Sequence, residues 1–318
     1  MKERKIIYLI NPISGTRTKT SLPELITRKT REAGIEFSIR PTDAAGNYDF
    51  LIPAIENEKV TDIVICGGDG TVSAVAAALT GRDIRIGIIP MGSGNGLAFA
   101  AGIPKDPAHA LDILFAGKDS FIDCFMINER FSCMLCGIGF DAEVAHHFAR
   151  EPRRGLRTYI KVSLSHFFKA RCYRFDIDLS VPTAADAFPT GGPGSGAPAP
   201  IFPVEAFFIN IANGNQFGNN VTIAPKADLH DGLLDIVIIK KAGRLQMMIS
   251  AIRQVLGGYK LTDHPSNAGT KNALYFQVPA LVINNPEGAP LHIDGDPAPS
   301  AGIFRIRVIP KAIRLIQP

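Results

Sequence analysis

The residues Gly67-Gly-Asp-Gly70 lie between an apolar, β-branched run that begins at Asp62 and an alanine-rich run that ends at Leu79. The first run predicts a buried strand and the second a helix, so the glycines form the turn that joins them. Glycine has no Cβ, and phosphate can therefore approach the main chain at the positive end of the helix. The carboxylate of Asp69 would repel phosphate unless it holds a cation or accepts a proton. This pattern predicts a Mg²⁺-nucleotide site, with Thr71 placed to cap the helix.

A second loop, Gly92-Ser-Gly-Asn95, follows the next predicted strand and opens another helix. Its hydroxyl and amide groups could bind phosphate or ribose oxygens. Neither loop has the Walker pattern or the G-x-G-x-x-G pattern. Gly137-Ile-Gly-Phe-Asp-Ala142 does resemble the loose dinucleotide fingerprint, which makes an NAD-dependent enzyme the second interpretation. No acidic residue follows on a strand about 20 residues later, where the ribose would need one.

A third candidate site is Leu291-His-Ile-Asp-Gly-Asp-Pro297, a strand that runs into a tight turn carrying Asp294 and Asp296. Two carboxylates on such a turn could share a cation, or one could act as general base towards a substrate hydroxyl while the other orients it. An ordinary Asp-Gly hairpin turn on the surface is the alternative.

The predicted secondary structure differs between the first and the second part of the chain. Strand and helix patterns alternate four times in the first part, with strands over 5–10, 35–39, 62–66 and 84–89. This alternation predicts an α/β domain with a doubly wound parallel sheet whose ligand binds at the carboxyl ends of the strands. From Ser120 onward, many short β-rich runs separated by turn residues predict an antiparallel β-sandwich. Helical stretches at 141–170 and 245–256 and a Gly/Pro-rich insertion at 182–203 interrupt it.

Length and composition agree with two globular domains. The chain has 318 residues, and its formal net charge of +4 by itself implies neither nucleic acid nor membrane as a partner. The five cysteines are scattered through apolar segments, which favours reduced thiols in a cytoplasmic protein. The apolar run near the start is too short for a signal peptide, and no run has the length of a membrane-spanning helix.

Taken together, five motifs closely resemble the lipid kinase family that includes diacylglycerol kinases and sphingosine kinases and is related in its first domain to NAD kinases. They are Gly-Gly-Asp-Gly-Thr at 67–71, Gly-Ser-Gly-Asn-Gly-Leu-Ala at 92–98, Gly-Ile-Gly-Phe-Asp-Ala-Glu at 137–143, His-Asp-Gly-Leu-Leu-Asp at 230–235 and Asp-Gly-Asp-Pro at 294–297. The likeness covers almost the whole chain, with the motifs in the same order.

The resemblance implies ATP and Mg²⁺ as cofactors and a site residue at each matching position. The residues expected to bind ATP are Asn11, Pro12, Ser14, Gly15, Thr42, Gly67, Gly68, Asp69, Gly70, Thr71, Ser73, Gly92, Ser93 and Asn95. Asp294 and Asp296 match acidic residues that activate the lipid hydroxyl, and Asp123 matches one that helps to arrange metal and phosphates. A structural Mg²⁺ would be bound by the carboxylate of Asp231 and the main-chain oxygens of Asp228 and Leu233, because Mg²⁺ prefers hard oxygen ligands.

The expected domains are a nucleotide-binding catalytic domain at 1–122, completed by strands at 303–318, and a β-rich lipid-binding domain at 123–302. The implied function is transfer of the γ-phosphate of ATP to a hydroxyl of a diacylglycerol or sphingoid-type lipid. Two alternatives remain: a kinase of a soluble acceptor such as NAD, and a weakened relative that only binds lipid or nucleotide. Asp296 stands where the family usually has Glu, and Gly96 stands where diacylglycerol kinases have Asp and sphingosine kinases Ala.

A basic segment could bring such an enzyme to its substrate. Residues 150–174 contain eight Arg and Lys residues and one acid, Glu151. Leu156, Ile160, Leu164 and Phe167 fall on one helical face, so the segment either lies on an anionic membrane at the inner face or packs its apolar side in the second domain. A lipid substrate and a homodimer are the other expected partners, and no nucleic acid is expected.

Overall fold

A computed structural model describes residues 4–12, 21–152, 155–167, 169–180, 201–216, 224, 226–241, 243 and 273–318. The chain divides into two compact units. Unit 1 consists of Met1–Cys124, Gln216–Asn220 and Pro310–Pro318, and unit 2 of Phe125–Asn215 and Val221–Ile309. The predicted helix at 245–256 and most of the predicted insertion lie outside the described residues, but Phe202 and Pro203 belong to a strand.

Unit 1 is an α/β domain around a parallel sheet, as predicted. Its strands are β1 (Lys5–Ile10), β2 (Glu36–Pro41), β3 (Asp62–Gly67), β4 (Arg85–Pro90) and the end of β15 (Ile303–Gln317). The strand order is β15-β4-β3-β1-β2, and these four pairings are parallel. Every residue of β3 is buried, which explains its continuous apolar sequence.

The helices of unit 1 are α1 (Leu22–Glu32), α2 (Leu51–Asn57), α3 (Asp69–Leu79), α4 (Gly96–Ala100) and α5 (Pro107–Ala116). Ile26 of α1 and Leu111 of α5 are completely buried, so these helices present apolar faces to the domain core. The N-cap of α5 is Asp106, whose side chain accepts a hydrogen bond from the His109 N–H.

The order of the strands determines where a ligand can bind in unit 1. After β1 the chain passes to β2 on one side, and after β2 it returns to β3 on the other side of β1. Such a reversal opens a crevice at the carboxyl ends of the two inner strands. Asn11 follows β1 and Gly68 follows β3, so both lie at this reversal point.

Unit 2 is an antiparallel, sandwich-like β domain, again as predicted. Its strands are the end of β5 (Lys118–Ile127), β6 (Arg130–Ser132), β7 (Leu135–Gly139), β8 (Tyr173–Asp178), β9 (Phe202–Ala212), β10 (Leu234–Lys240), β11 (Ala273–Val278), β12 (Ala280–Asn284), β13 (Leu291–Ile293), β14 (Asp296–Ala298) and the start of β15. The order is β14-β13-β7-β9-β8-β12-β15, and β10 pairs with both β9 and β11. The apolar core contains Phe125, Phe175 and Phe304.

Two details of unit 2 differ from the sequence prediction. The predicted strand at 131–136 is two short strands, β6 and β7, separated at Cys133 and Met134. The predicted helix at 141–170 is two helices, α6 (Phe140–Phe148) and α7 (Leu156–Phe167). Pro152 and Gly155, which has φ +118°, lie between them, and both residue types favour a helix break. Among the described residues, no helix has the length and hydropathy needed to cross a membrane.

Candidate active site

The two glycine loops of unit 1 are in direct contact. A Cβ built on Gly92 would lie 2.6 Å from the Cα of Gly68, and one built on Gly68 would lie 3.1 Å from the Cα of Gly92. The main-chain N–H of Met91 also donates to the carbonyl of Gly67, at 2.8 Å. Only glycine permits such an approach, so the two loops form one surface at the ends of β3 and β4.

Asn95 holds the second loop in shape. Its Oδ1 accepts a hydrogen bond from the Gly92 N–H at 2.7 Å, and its Nδ2 donates to the Gly92 carbonyl at 2.8 Å. Asn95 has a left-handed backbone, with φ +55°, and is only 2% exposed. Asparagine tolerates this conformation better than most residues. The buried amide therefore maintains the loop, and the exposed side chain there is Ser93.

Asp69 and Thr71 lie in the first turn of α3. The prediction that Thr71 caps this helix was wrong, because the N-cap is Gly68 and no side chain makes a capping hydrogen bond. Thr71 Oγ1 instead accepts a hydrogen bond from Asn11 Nδ2 at 2.8 Å. This contact joins the end of β1 to α3 across the reversal point. The first N–H groups of a helix have no partner within it, so those of α3 are available at this end of the sheet.

The remaining residues of the predicted ATP site are distributed around the same strand ends. Thr42 follows β2, and its N–H donates to the Ile10 carbonyl at 3.1 Å. Pro12 is exposed beyond β1, whereas Ser73 is 9% exposed inside α3. Ser14 and Gly15 lie outside the described residues. The structure thus brings Asn11, Thr71 and the two loops together, and places Ser73 in the helix interior.

In unit 2, Asp294 and Gly295 form the turn between β13 and β14. Both residues have positive φ, +50° and +85°, and Ile293 pairs with Asp296 across the turn, as in a two-residue hairpin. Asp294 is 7% exposed. Its Oδ1 accepts hydrogen bonds from Ser132 Oγ (2.7 Å), Leu135 N (3.1 Å) and Met134 N (3.2 Å). The carboxylate therefore holds the turn against β6 and β7.

Asp296 is the other carboxylate of this turn. It is the first residue of β14 and is exposed, in contrast to Asp294. One turn thus carries one buried, hydrogen-bonded carboxylate and one that solvent reaches. Of the two, Asp296 is better placed to exchange a proton with a bound molecule.

Asp123 lies in β5 and belongs to unit 1. It is 2% exposed, and its Oδ1 accepts a hydrogen bond from the Lys311 N–H at 2.7 Å. Lys311 has φ +52°, so this bond stabilises an unusual backbone conformation within β15. The contact gives Asp123 a structural role at this point of the chain.

The residues of the expected structural Mg²⁺ site lie in the turn before β10. Asp231 is exposed, and its Oδ1 accepts a hydrogen bond from the Leu233 N–H at 2.9 Å. Asp228 Oδ1 accepts from the His230 N–H at 3.0 Å. Within the described ranges, no group of three or more His, Cys, Asp or Glu side chains could hold a metal ion. The oxygen donors suit Mg²⁺ in kind, but one carboxylate and two carbonyls leave most of its coordination to water.

The glycines of the Gly137-Ile-Gly139 segment are explained by packing. A Cβ on Gly137 would lie 1.9 Å from Asp141 Oδ2, and one on Gly139 would lie 2.7 Å from the Phe207 carbonyl. Gly139 also has φ +97°. Both positions require glycine for the close approach of α6 and β9, without any dinucleotide.

Comparison with known proteins identifies the family. Residues 5–127 match the diacylglycerol kinase catalytic domain, and residues 135–317 match the YegS C-terminal NAD kinase beta sandwich-like domain. This chain belongs to the diacylglycerol kinase family of lipid kinases. The two matches cover the glycine loops of unit 1 and the Asp294 turn of unit 2.

Relatives within this family match nearly the whole chain. A Pseudomonas putida protein named "probable lipid kinase YegS-like" is 27% identical over 292 residues, which are 91% of this chain and 88% of that protein. The diacylglycerol kinase of Bacillus subtilis is 27% identical over 300 residues, 93% of this chain and 90% of its own. The crystal structure of a Bacillus anthracis diacylglycerol kinase superposes with a TM-score of 0.69 at 17% identity, covering 100% of this chain and 98% of that one. That likeness shows a shared fold.

Sequence analysis did not identify the residues that hold the site in shape. Ser132 bonds Asp294 across 162 residues, and no local pattern marks it. Gly68 and Gly92 are in contact because β3 and β4 are neighbouring strands. Neither glycine motif by itself predicts that pairing. The Asn11–Thr71 bond could have been anticipated, because both residues follow strands that meet at the reversal point.

Proposed function

We propose that this protein transfers the γ-phosphoryl group of ATP to a hydroxyl group of a lipid. The observation that carries the proposal is the contact between the two glycine loops, which also brings the carboxylate of Asp69 against Gly94. Phosphoryl transfer needs positioning and charge neutralisation more than covalent chemistry. Membership of the lipid kinase family supports the lipid as acceptor.

Unit 1 would bind the nucleotide. The N–H groups of Gly70 and Thr71, at the start of α3, would donate hydrogen bonds to phosphate oxygens, and the hydroxyl of Ser93 would donate from the second loop. Mg²⁺ bound with ATP would neutralise phosphate charge, and the carboxylate of Asp69 would hold it. Asp123 would act indirectly, through the main-chain bond to Lys311. A second Mg²⁺ at Asp231, with the carbonyls of Asp228 and Leu233, would have a structural role.

Unit 2 would supply the base. The acceptor oxygen forms a bond to the γ-phosphorus while the bond from that phosphorus to the bridging oxygen breaks, and ADP leaves. The hydroxyl proton passes to the carboxylate of Asp296, and Asp294 holds the turn that carries it. Asp296 is one methylene shorter than the Glu usual in the family, so the acceptor must approach the main chain of the turn more closely.

Phosphorylation assays test the proposal. Purified protein is incubated with γ-labelled ATP, Mg²⁺ and a panel of diacylglycerol, sphingoid base, ceramide, phosphatidylglycerol and NAD. We expect label in a lipid product and loss of at least about a hundredfold in kcat for Asp69→Asn, with an unchanged melting temperature. Label in NAD alone would support the soluble-acceptor alternative, and full turnover by Asp69→Asn would exclude the proposed nucleotide site.

We propose that α7 contacts an anionic membrane surface. Arg157 and Lys161 are exposed on this helix, and Leu164 is 44% exposed beside them. Phe167, by contrast, is buried and packs edge-on against Phe140. The helix thus presents a basic face with an apolar residue, the combination that binds anionic lipid.

A further inference from the structure

Three polar side chains of unit 2 converge on one glycine. Gly137 of β7 pairs directly with His292 of β13 on one side and with Asn210 of β9 on the other. Directly paired residues project to the same face of a sheet, so His292 and Asn210 flank the position of the missing side chain. Asp141, in the first turn of α6, covers that position from above.

The glycine makes room for an acid–imidazole pair. A Cβ on Gly137 would lie 1.9 Å from Asp141 Oδ2 and 2.5 Å from His292 Nε2. These two atoms are 3.3 Å apart. His292 is 1% exposed and Asp141 7%. The pair therefore fills the space above Gly137, directly beside Asn210.

Asn210 is the exceptional residue of this cluster. Its side chain is 0% exposed, and neither Oδ1 nor Nδ2 has a hydrogen-bond partner within the part of the chain that the structure describes. Leaving a buried amide without partners costs about 1–3 kcal/mol for each unsatisfied group. Native proteins seldom accept that cost unless a ligand or water completes the bonds.

Aromatic rings on the same elements would bound a recess for such a ligand. Phe140 stacks on Phe207 with ring centroids 4.5 Å apart, and Phe167 packs edge-on against both rings. A mostly apolar wall with a few convergent polar groups is typical of small-molecule sites. His292, on β13, also precedes the turn residue Asp294 by two positions. The recess therefore adjoins the turn that we assign to the acceptor.

We propose that Asp141, His292 and Asn210 bind a hydrogen-bond donor that the lipid acceptor carries next to its reacting hydroxyl. This inference rests on the proposed lipid kinase function. The Oδ1 of Asn210 is an acceptor without a donor among the described residues, whereas the Asp141 carboxylate already accepts from the Ala142 N–H and contacts His292 Nε2. An ester at this position would therefore leave the Asn210 Oδ1 unpaired in a buried place. A monoacylglycerol supplies the donor as a second hydroxyl and a sphingoid base as an ammonium group. Diacylglycerol supplies none.

The preference of the enzyme among lipid acceptors tests whether these three residues bind a hydrogen-bond donor. The kcat/KM values of wild type and Asn210→Leu are compared in detergent micelles with 1-monoacylglycerol, its 2-O-methyl ether, sphingosine and diacylglycerol. We expect wild type to prefer a donor-bearing lipid over the ether by at least about tenfold. Preference for the monoacylglycerol identifies a hydroxyl and preference for sphingosine an ammonium group. Asn210→Leu is expected to lose most of this preference.

The control is Ile209→Leu, which changes the neighbouring residue of β9 in the apolar core. Replacing an unpartnered amide by an apolar side chain of similar size is expected to leave stability unchanged or increased, so both variants should fold. Unchanged discrimination in Asn210→Leu, or equal loss in Ile209→Leu, would overturn the assignment.

A binding measurement separates this inference from the kinase assignment. The melting temperature is measured with each lipid in the absence of nucleotide. If wild type phosphorylates no lipid, but a donor-bearing lipid raises its melting temperature and not that of Asn210→Leu, the recess is supported and the kinase assignment fails. If donor-bearing lipids stabilise wild type no more than the methyl ether does, the recess assignment is wrong.

Discussion

The carboxylate of Asp69 packs against Gly94, where a Cβ would lie 2.8 Å from Oδ2. Gly94→Ala should therefore push this flexible carboxylate aside without moving the backbone. A displacement of about 1 Å in a group that positions the reactants can reduce turnover by about a hundredfold. We expect that loss in kcat, with a melting temperature close to that of wild type.

Gly92→Ala is the matched comparison, because its Cβ would meet the main chain of Gly68 at 2.6 Å. Backbone must shift to accept it, which costs about 1–3 kcal/mol. Chemical denaturation should show this loss for Gly92→Ala only. Equal stability losses in the two variants would contradict the assigned difference between side-chain and backbone contact.

Substitutions of Asp294 should lower the stability of the fold, whereas substitution of Asp296 should lower the catalytic rate. Asp294→Ala removes the acceptor of three buried hydrogen bonds and places alanine at φ +50°, so we expect a loss of about 3 kcal/mol or more. Asp294→Asn keeps an acceptor oxygen and tolerates the left-handed backbone, and should remain folded. Urea denaturation measures both.

Asp296→Asn should retain wild-type stability and lose about a hundredfold or more in kcat, because the exposed carboxylate takes the proton. Lipid phosphorylation at saturating substrate measures this. Full activity of Asp296→Asn with an inactive, folded Asp294→Asn would transfer the role of base to Asp294.

The packing of α6 on α7 should weaken in acid. The rings of His147 and His166 stack with centroids 3.8 Å apart. Desolvation, followed by the charges of His166, Arg150 and His146, lowers the pKa of His147 below its ordinary value of 6.5, although Glu143 opposes this. The unfolded chain then binds more protons than the folded chain, so this contribution to stability is complete above about pH 6.5 and is lost as the pH falls below it.

Melting temperatures between pH 7.5 and pH 5 test this expectation. His147→Gln should lower the acid sensitivity, and His109→Gln, an exposed histidine of α5, is the control. Identical pH profiles for wild type and His147→Gln would contradict the assignment.

Thiol chemistry should distinguish Cys172 from the other cysteines. All five are free, and Cys66, Cys124, Cys133 and Cys136 are buried. Burial raises the pKa of the Cys66 and Cys136 thiols and, to a smaller extent, of the partly exposed Cys172. We expect one slowly reacting thiol in the native protein and five after denaturation. Cys172→Ser should leave none reactive in the native protein and four after denaturation.

Membrane contact through α7 predicts electrostatic vesicle binding. The protein should bind vesicles that contain phosphatidylglycerol better than pure phosphatidylcholine, and less well as salt increases. Lys161→Glu should weaken binding by roughly thirtyfold at low salt, since each charge contributes about 1 kcal/mol. Lys59→Glu, on an exposed residue of unit 1, should have no effect. Salt-independent binding, or equal effects of the two substitutions, would refute the α7 surface.

The sequence predicted the parts of this molecule that follow local rules. Period and turn chemistry placed β1 at its observed bounds, and the glycine loops were recognised because each joins a buried strand to a helix. The helix break at Pro152 and Gly155 was also present as a local signal and was missed. Treating 141–170 as one helix gave too much weight to its continuous apolar face.

Other features could not be predicted because they depend on tertiary neighbours. Thr71 is a reasonable capping residue by type, but its hydroxyl is engaged by Asn11, 60 residues earlier. Whether Asp294 or Asp296 is exposed depends on Ser132 and on β7, which receive only Asp294. In the sequence, Asn210 is a single polar residue within a predicted strand. Its position beside Asp141 follows only from its pairing with Gly137 in the folded sheet.

The contribution of β15 to unit 1 also has a kinetic consequence. Arg314 and Leu315 pair with β4, and Lys311 bonds Asp123 across 188 residues. Before β15 pairs with β4 during folding, β4 has an unpaired edge. Closing so long a loop is slow, which delays native pairing. Exposed strand edges recruit other chains, so refolding at high protein concentration should favour aggregation. A fragment ending at residue 124 would retain that open edge permanently, and addition of a peptide spanning 303–318 should improve its recovery.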